Sequence, residues 1–356
     1  MTLRLGVIGT GFARRVQLPA LALVPGVRAT AVASGNRANA EATAREFGLD
    51  AVFDDGFELA RDAQVDAVLV SSTPASHARF AIAALEAGKH VLAEKPAALN
   101  AAEALRMVEV SRAHPGQVAW IDHELRYDAK RRKIRDLIRS GAIGEVRHLE
   151  LSLKPYLRTD GRAQTNQTAT PWTWWSDAGQ GGGILGAVGS HLVDLCRFWT
   201  GQEVRHVAGG AATWVRERID AAGVTRPVTA EESATFVLSL AGGEVATVTL
   251  SAVAHHGPGH LTQITGSEGT IQLAGEAKLE MGKAGAPLEE VAAPDDLWER
   301  TKPNTMWARG FVRLMRDFVR AAAGAPPEGQ PATFQDGWAI QRVLDAVRAG
   351  GATRLD

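Results

Sequence analysis

Short apolar runs alternate with helical patterns through residues 3–96, and this alternation limits the possible folds more than any other feature. Strands that alternate with helices over short connections form parallel sheets with right-handed crossovers. The start of the chain is therefore predicted to form a doubly wound α/β domain. The strand-like runs are LRLGVIG (3–9), VRATAVAS (27–34), VDAVLVSS (65–72) and HVLAEKP (90–96), and the clearest helical patterns are 39–48 and 76–88.

The pattern changes after about Glu145, where several strand-like runs follow one another without helices between them. Such runs predict an open, mostly antiparallel β-sheet that can face a cleft. We expect residues 1–123 to form a Rossmann-type dinucleotide-binding domain and residues 124–356 to form a second, α+β domain. The runs are 145–154, 204–215, 233–240, 244–252, 261–265 and 270–273, and helical patterns follow at 307–323 and 335–348.

The composition is that of an ordinary globular protein, with 45% hydrophobic and 22% charged residues in a chain of 356. The net charge of −1 would attract neither nucleic acid nor an anionic membrane, so neither is expected as a partner. The basic run at 130–139 has apolar residues at helical spacing, which predicts the solvated side of an amphipathic helix. No signal-peptide pattern or apolar stretch of about 20 residues is present. The single cysteine, Cys196, cannot form a disulfide within the chain, which is compatible with a reducing compartment. We therefore expect a cytoplasmic protein.

The first strand-like run leads into GTGFAR, which matches the beginning of the dinucleotide-binding pattern G-x-G-x-x-G. Gly9 permits the tight turn, and Gly11 lets the backbone approach a pyrophosphate at the N-terminus of the next helix. Thr10 and Phe12 belong to the same predicted cofactor-binding turn. Arg14 occupies the third glycine position, so we expect the helix to lie slightly farther from the sheet, with a guanidinium near the phosphates.

The second strand-like run ends in ASGNR, where an enzyme that prefers NAD carries an acidic residue for the ribose hydroxyls. This stretch contains no acid. Ser34, Asn36 and Arg37 are instead groups that can bind a 2′-phosphate, and Arg37 can do so with two parallel hydrogen bonds. Together with Arg14 they favour NADP over NAD. The alternative is that Arg37 is only a surface residue at the start of a helix.

The third and fourth runs carry polar residues at their carboxyl ends, the edge at which open α/β sheets bind ligands. STPASH follows the third run, and AEKP ends the fourth. A lysine at this edge, Lys95, can act as a general acid or base, although a lone lysine is more often a surface residue. The residues predicted to contact the cofactor here are Ser72, Thr73, Pro74, His77, Glu94 and Lys95.

Two further motifs, RSGAIGEV (139–146) and GGGILGAVGSHLVDL (181–195), follow in order. Together with the earlier ones they resemble the glucose-fructose oxidoreductase / inositol dehydrogenase / MocA-type family, from the N-terminus to about Asp194. The resemblance implies a nicotinamide cofactor in the first domain. It also implies that a sugar, cyclitol or related polyol faces the sheet of the second domain, through which the chain would associate as a homodimer or homotetramer.

The resemblance assigns roles to particular residues. Lys95 matches the lysine of the family's EKP motif, which contacts the substrate hydroxyl and the cofactor. His191 matches the family's histidine proton acceptor, and Asp194 matches the acid that follows it and is predicted to bind substrate. The family's acid four residues before the histidine is replaced by Ala187, which cannot orient a catalytic histidine. Another carboxylate or a substrate group takes this role, or the proton passes through Lys95, or the redox chemistry is weak or absent.

Three more substrate contacts are predicted outside these motifs. The aromatic cluster PWTWW (171–175) includes Trp174, which would line a sugar ring; a core or interface patch is the alternative. Tyr156 lies near the end of a strand, and Arg126 lies at the start of the second domain. The histidines of HHGPGH (255–260) have no local carboxylate beside them, so we expect a solvated loop rather than a metal site.

The sequence therefore predicts an NAD(P)-dependent dehydrogenase or reductase that acts on a CH–OH group of a sugar, cyclitol or related polyol. A glycosidase of similar fold that uses NAD transiently is an alternative. A non-catalytic nucleotide-binding sensor is another, which Ala187 favours and which the retained Lys95 and His191 oppose.

Overall fold

The structure, a computed structural model, describes residues 2–154, 171–257, 259–275 and 278–355. The chain divides into two compact units, each built from two separate segments. The first unit contains Met1–Asp128 and Asp295–Gln341, and the second contains Ala129–Pro294 and Arg342–Asp356. The sequence analysis assigned all residues after 123 to the second domain, whereas the segment Asp295–Gln341 joins the first unit. A helical pattern shows that a segment has a face to bury, but not which domain covers that face.

The first unit is a seven-stranded sheet with helices between its strands. Its strands are β1 (Leu3–Ile8), β2 (Val27–Ala33), β3 (Ala51–Phe53), β4 (Ala67–Val70), β5 (His90–Ala93), β6 (Ala119–Ile121) and β17 (Ala332–Thr333). Their order is β17-β6-β5-β4-β1-β2-β3, and every pair is parallel except β17 with β6. The predicted doubly wound sheet is confirmed. The helices are α1 (Leu18–Leu21), α2 (Arg37–Phe47), α3 (Gly56–Arg61), α4 (Pro74–Glu86), α5 (Ala101–Ala113), α8 (Met306–Ala322) and the first half of α9 (Phe334–Ala349).

The core of the first unit joins its two chain segments. All four residues of β4 are fully buried, as expected for a strand covered on both faces. On one face, Phe311 and Phe318 of α8 are fully buried in a cluster with Leu5 and Val7 of β1. The predicted helix 307–323 therefore exists at 306–322, and it supplies much of the apolar surface that covers the N-terminal strands.

The second unit is a nine-stranded, mostly antiparallel sheet with a separate two-stranded hairpin. The sheet strands are β7 (Val146–Lys154), β8 (Val204–Ala212), β11 (Ser233–Leu240), β12 (Val245–Ser251), β13 (Gly259–Gly266), β14 (Gly269–Ala274), β15 (Lys278–Lys283), β16 (Glu289–Glu290) and β18 (Gly351–Arg354). The hairpin pairs β9 (Glu217–Ile219) with β10 (Thr225–Pro227). The sheet order is β16-β15-β14-β13-β7-β12-β11-β8-β18, and only β7 with β12 is parallel among these described strands. The predicted fold class of the second domain is confirmed.

Two helices accompany this sheet, α6 (Ala129–Arg139) and α7 (Ser190–Thr200). The α6 helix is the predicted amphipathic helix, in which Ile134 is fully buried. The indole N–H of Trp199 on α7 donates to the Arg131 carbonyl at 3.0 Å, which ties the two helices together. No helix among the described residues is long and apolar enough to cross a membrane.

Candidate functional site

The turn after β1 has the conformation that its first glycine predicts. Gly9 has a φ of +107°, and a Cβ atom built on it would lie 2.3 Å from the Ser71 carbonyl oxygen. The Gly9 N–H donates to the Ala33 carbonyl at 2.8 Å. Only glycine tolerates both this backbone angle and this approach. The turn is thereby held against the carboxyl ends of β2 and β4.

Gly11 leaves room for a ligand at the same turn. Apart from its chain neighbours and the local helix backbone, a Cβ atom on Gly11 would meet no heavy atom of the described residues within 4 Å, so the backbone there is open to a phosphate group. Thr10 is half-buried in the turn, and Phe12 packs against the core of the first unit. This arrangement fits the pyrophosphate of a dinucleotide, for which Gly9 and Gly11 provide the approach.

Arg14 lies in the first turn of the helical segment that follows Gly11. Residues Ala13–Gln17 form a π-helical turn before α1, rather than a regular α-helix. The Arg14 guanidinium donates to Glu46 Oε2 at 2.5 Å and is 41% exposed. Its predicted neighbour is a phosphate, and its partner in this structure is a carboxylate of α2.

The ASGNR stretch caps α2. The Asn36 side chain accepts a hydrogen bond from the Asn39 N–H at 3.0 Å, and Ser34 Oγ accepts one from the Asn36 N–H at 3.2 Å. Arg37 begins the helix and pairs with Glu41 at 2.9 Å and with Asp54 at 3.2 Å. Hydrogen bonds and charges of these carboxylates raise the pKa of Arg37. The stretch therefore combines a helix N-cap, which the sequence analysis did not identify, with an exposed arginine at the edge of the sheet.

The STPASH stretch begins α4 at the carboxyl end of β4. Pro74 is the first residue of the helix and Thr73 is its N-cap. Ser72 and Ser76 share a hydroxyl–hydroxyl hydrogen bond of 2.6 Å. Ser72 and Thr73 are half-buried and remain partly open at the edge where the cofactor is predicted to bind.

His77 lies inside the protein and joins two backbone segments. Its Nδ1 atom is 2.8 Å from the Pro96 carbonyl oxygen, its Nε2 atom is 3.1 Å from the Ser72 carbonyl oxygen, and the residue is 1% exposed. Burial lowers the pKa of His77, and the positive charge of Lys95 lowers it further. A neutral imidazole donates only one N–H, so it hydrogen-bonds one of these carbonyls. His77 was predicted to contact the cofactor; its ring nitrogens instead lie against the loops that present Ser72 and Lys95.

Lys95 follows β5, and its peptide bond to Pro96 is cis. The side chain is 15% exposed, and its Nζ atom is 4.0 Å from Glu94 Oε2. Glu94 itself is 6% exposed and forms part of a buried polar group with Gln17 and Asp122. The sequence analysis missed that group, because Gln17 and Asp122 are 105 positions apart.

The predicted catalytic histidine lies in the second unit. His191 and Asp194 both belong to α7 and are 0% and 1% exposed. Ala187 lies in the π-helical turn Leu185–Gly189 that precedes α7, so the backbone of the motif is formed although its first acid is missing. Burial, followed by the charge of Asp194, raises the pKa of Cys196 to about 12, which leaves this thiol protonated.

The other predicted substrate contacts have different surroundings. Arg126 lies in the first unit, 7% exposed, where it pairs with Asp336 at 3.2 Å and donates to the Pro331 carbonyl at 3.2 Å. These contacts connect it to the C-terminal segment of its own unit rather than leave it at an open edge. The Trp174 ring is 5.2 Å from that of Trp175 and is half-buried. Tyr156 lies outside the described residues.

The histidines of HHGPGH divide between a loop and a strand. No group of three or more possible ligand residues was found among the described residues. His255 and His256 are exposed, as expected for a loop, whereas His260 lies on β13 and is 8% exposed. Arg131 Nη2 donates to His260 Nδ1 at 3.0 Å. Burial and the Arg131 charge lower the pKa of His260 to about 3.

His260 makes stability depend on pH. An unfolded histidine binds a proton below pH ~6.5, and the folded one does not until about pH 3, so stability falls as the pH drops below ~6.5. Between pH 7.5 and 5 this one group is expected to remove about 2 kcal/mol from the free energy of unfolding. Urea unfolding at pH 7.5 and pH 5 measures the free energy of unfolding. The difference between the two values should be smaller for His260→Gln than for the wild-type protein. The exposed-loop variant His255→Gln is the control, and an unchanged difference in His260→Gln would contradict the assignment.

Comparison with known proteins identifies the family. A model of the oxidoreductase family with an NAD-binding Rossmann fold matches residues 3–122, and a model of the GFO/IDH/MocA C-terminal domain matches residues 131–272. The chain therefore belongs to the GFO/IDH/MocA family of oxidoreductases, as the sequence motifs predicted. Its first unit contains the family's NAD-binding domain.

Several relatives match nearly the whole chain. It is 31% identical over 353 residues to dTDP-3,4-didehydro-2,6-dideoxy-alpha-D-glucose 3-reductase of Streptomyces violaceoruber, covering 97% of this chain and 94% of that protein. It is 28% identical over 363 residues to inositol 2-dehydrogenase 2 of Saccharopolyspora erythraea, covering 99% and 94%. The structure of levoglucosan dehydrogenase in complex with NADH and levoglucosan superimposes with a TM-score of 0.88 at 22% identity, covering 100% of both chains. That superposition shows a shared fold.

Proposed function

We propose that the protein catalyses the reversible oxidation of one hydroxyl group of a sugar, cyclitol or related polyol. Lys95 carries the proposal, because its partly exposed side chain follows β5 at the carboxyl edge of the parallel sheet. Only β4 separates β5 from β1, the strand that leads into the Gly9–Gly11 turn. A group that can transfer a proton and a turn that fits a dinucleotide thus belong to one sheet edge.

The residues have distinct roles in this proposal. The Gly9–Gly11 turn would hold the dinucleotide, whose nicotinamide would supply the hydride-transfer chemistry. The neutral amine of Lys95 accepts the hydroxyl proton in the oxidation direction, and its ammonium form returns that proton in the reduction direction. His191 is the second candidate for this role. Asp194 follows His191 by three residues on α7, a spacing that places both on one face of the helix. Because Ala187 supplies no carboxylate, more of the proton transfer depends on Lys95.

The relatives support the substrate class. Their names describe a reductase of a dTDP-linked deoxysugar, a dehydrogenase of inositol and a dehydrogenase of levoglucosan. The test is to incubate the purified protein with NADP or NAD and a panel of cyclitols, anhydrosugars, free sugars and nucleotide-linked sugars. Appearance of reduced-cofactor absorbance with at least one compound is expected. Release of free sugar from an aryl glycoside without net cofactor reduction would identify a glycosidase instead.

We further propose that NADP binds more tightly than NAD, because no acidic residue occupies the ASGNR stretch and Arg37 is exposed there. Arg37→Asp is expected to weaken NADP binding about tenfold or more, since it removes a cation and adds an anion near the 2′-phosphate. Calorimetric titration of both cofactors measures this. Arg45→Asp, an exposed position on the same helix, should change neither affinity. Equal affinities for the two cofactors in the unsubstituted protein would refute the preference.

A further inference from the structure

A buried polar group lies directly beside Lys95. The Nε2 amide of Gln17 donates to Glu94 Oε1 and to Asp122 Oδ2, each at 2.8 Å. Gln17 and Asp122 are 0% exposed and Glu94 is 6% exposed. Both N–H bonds of one amide are therefore used to hold two carboxyl groups together away from water.

Two further ionisable residues act on these carboxyl groups. Lys95 follows β5 and brings one positive charge, and Glu124, in the 3-10 helix after β6, brings a further negative charge. The π-helical turn contributes the neutral amide of Gln17. Two adjacent carboxylates in a dry interior repel each other strongly, and uptake of one proton relieves this repulsion.

The two carboxyl groups differ in their surroundings. Burial raises the pKa of Asp122 well above its usual range, and the charges of Glu124 and Glu94 raise it further. Burial also raises the pKa of Glu94, but the Lys95 charge and the Lys95 backbone N–H oppose this. These surroundings favour the proton on Asp122 and the negative charge on Glu94.

Glu94 contacts Lys95 at two points. Its Oε2 atom accepts a hydrogen bond from the Lys95 backbone N–H at 3.2 Å, and the same oxygen is 4.0 Å from Lys95 Nζ. One carboxylate oxygen thus holds both the backbone and the ammonium end of this residue. We propose that Glu94 and Asp122 share one proton at neutral pH, and that the remaining charge on Glu94 positions the Lys95 side chain for proton transfer. This role rests on the proposed function, in which Lys95 acts on the substrate hydroxyl.

The shared proton can be measured without any substrate. The full-length protein, labelled with ¹³C at its Asp and Glu carboxyl carbons, is titrated by NMR, and Asp122→Asn and Glu94→Gln assign the two signals. The Asp122 signal is expected to be that of a protonated carboxyl at pH 7, whereas an ordinary aspartate is protonated only below about pH 4. Two ionised carboxylates at pH 7 would overturn the proposal, whether or not the protein turns over a sugar.

The positioning role is measured with a substrate from the panel. Asn is a neutral mimic of a protonated carboxyl, so Asp122→Asn is expected to keep kcat within about twofold of wild type at pH 7. Glu94→Gln removes the charge that faces Lys95 and is expected to lower kcat about 100-fold. In the wild-type protein, loss of the Asp122 proton at alkaline pH should change kcat. This change should be absent from the pH profile of kcat for Asp122→Asn.

Asp317→Asn is the matched control. Asp317 is another buried carboxyl group of the first unit, 4% exposed, which accepts hydrogen bonds from Tyr127 and from two backbone N–H groups. None of these hydrogen bonds involves Lys95 or Glu94. Asp317→Asn should therefore lower the free energy of unfolding without shifting the pH profile of kcat. Equal losses of kcat in folded Asp122→Asn and Glu94→Gln would show that the Asp122 charge is required, and would refute the shared proton.

Discussion

Replacing Lys95 with methionine is expected to lower kcat by about 1,000-fold on a confirmed substrate, because methionine preserves the length of the side chain but can neither accept nor donate the hydroxyl proton. Cofactor affinity should change much less than kcat, since Lys95 is one of several predicted contacts and the Gly9–Gly11 turn that fits the pyrophosphate is unaltered. Absorbance of the reduced cofactor gives kcat, and calorimetric titration gives the affinity.

Lys278→Met provides the control for this experiment. Lys278 is an exposed lysine of β15 that pairs with Glu280 at 2.7 Å, and its loss should leave kcat unchanged. If Lys95→Met kept full turnover, the proton would have to pass through another group, with His191 as the next candidate. A substitution at His191 would then show whether kcat depends on this histidine instead of Lys95.

The two glycines of the first turn are expected to respond to alanine in opposite ways. In Gly9→Ala, the new methyl group would meet the Ser71 carbonyl at 2.3 Å in a backbone conformation that L-residues avoid. We expect the free energy of unfolding to fall by about 3 kcal/mol or more. Chemical denaturation followed by tryptophan fluorescence measures the loss.

Gly11→Ala is expected to preserve the fold and to weaken binding of the cofactor. Apart from the adjacent backbone, no heavy atom of the part of the chain that the structure describes lies within 4 Å of the added methyl group, so stability should stay within about 0.5 kcal/mol of wild type. The same methyl group would occupy the approach of the pyrophosphate, and dinucleotide affinity should fall at least about tenfold. Unaltered affinity in Gly11→Ala would show that the dinucleotide does not approach this turn.

Elements with a clear period were predictable from the sequence. β11 has the predicted bounds, 233–240, because alternate residues such as Phe236 and Leu238 are buried and those between them are not. β3 and β6 were missed because three residues are too few to display a period. The pattern of α8 was visible, but its membership of the first unit depends on which apolar surface it covers, and that surface lies some 300 residues earlier in the chain.

The candidate site was predictable only in part. Glycine at a tight turn and polar residues after parallel strands are local signals, and they located Gly9, Gly11 and Lys95. The Gln17 amide that joins Glu94 and Asp122 is a long-range contact with no local signal, since each residue alone is an unremarkable polar side chain. Arg126 shows the converse, because Asp336, the partner of its buried side chain, lies 210 positions later in the sequence.

The division of the first unit between two chain segments affects how the protein is made. During synthesis, residues 1–128 leave the ribosome long before α8 does, although Phe311 and Phe318 of α8 complete the cluster around Leu5 and Val7. One face of the parallel sheet therefore stays partly uncovered while residues 129–294 of the second unit are translated, a period in which exposed apolar surface invites aggregation. A chain that is released early, or cut after residue 128, would lack the cover for its own nucleotide-binding fold.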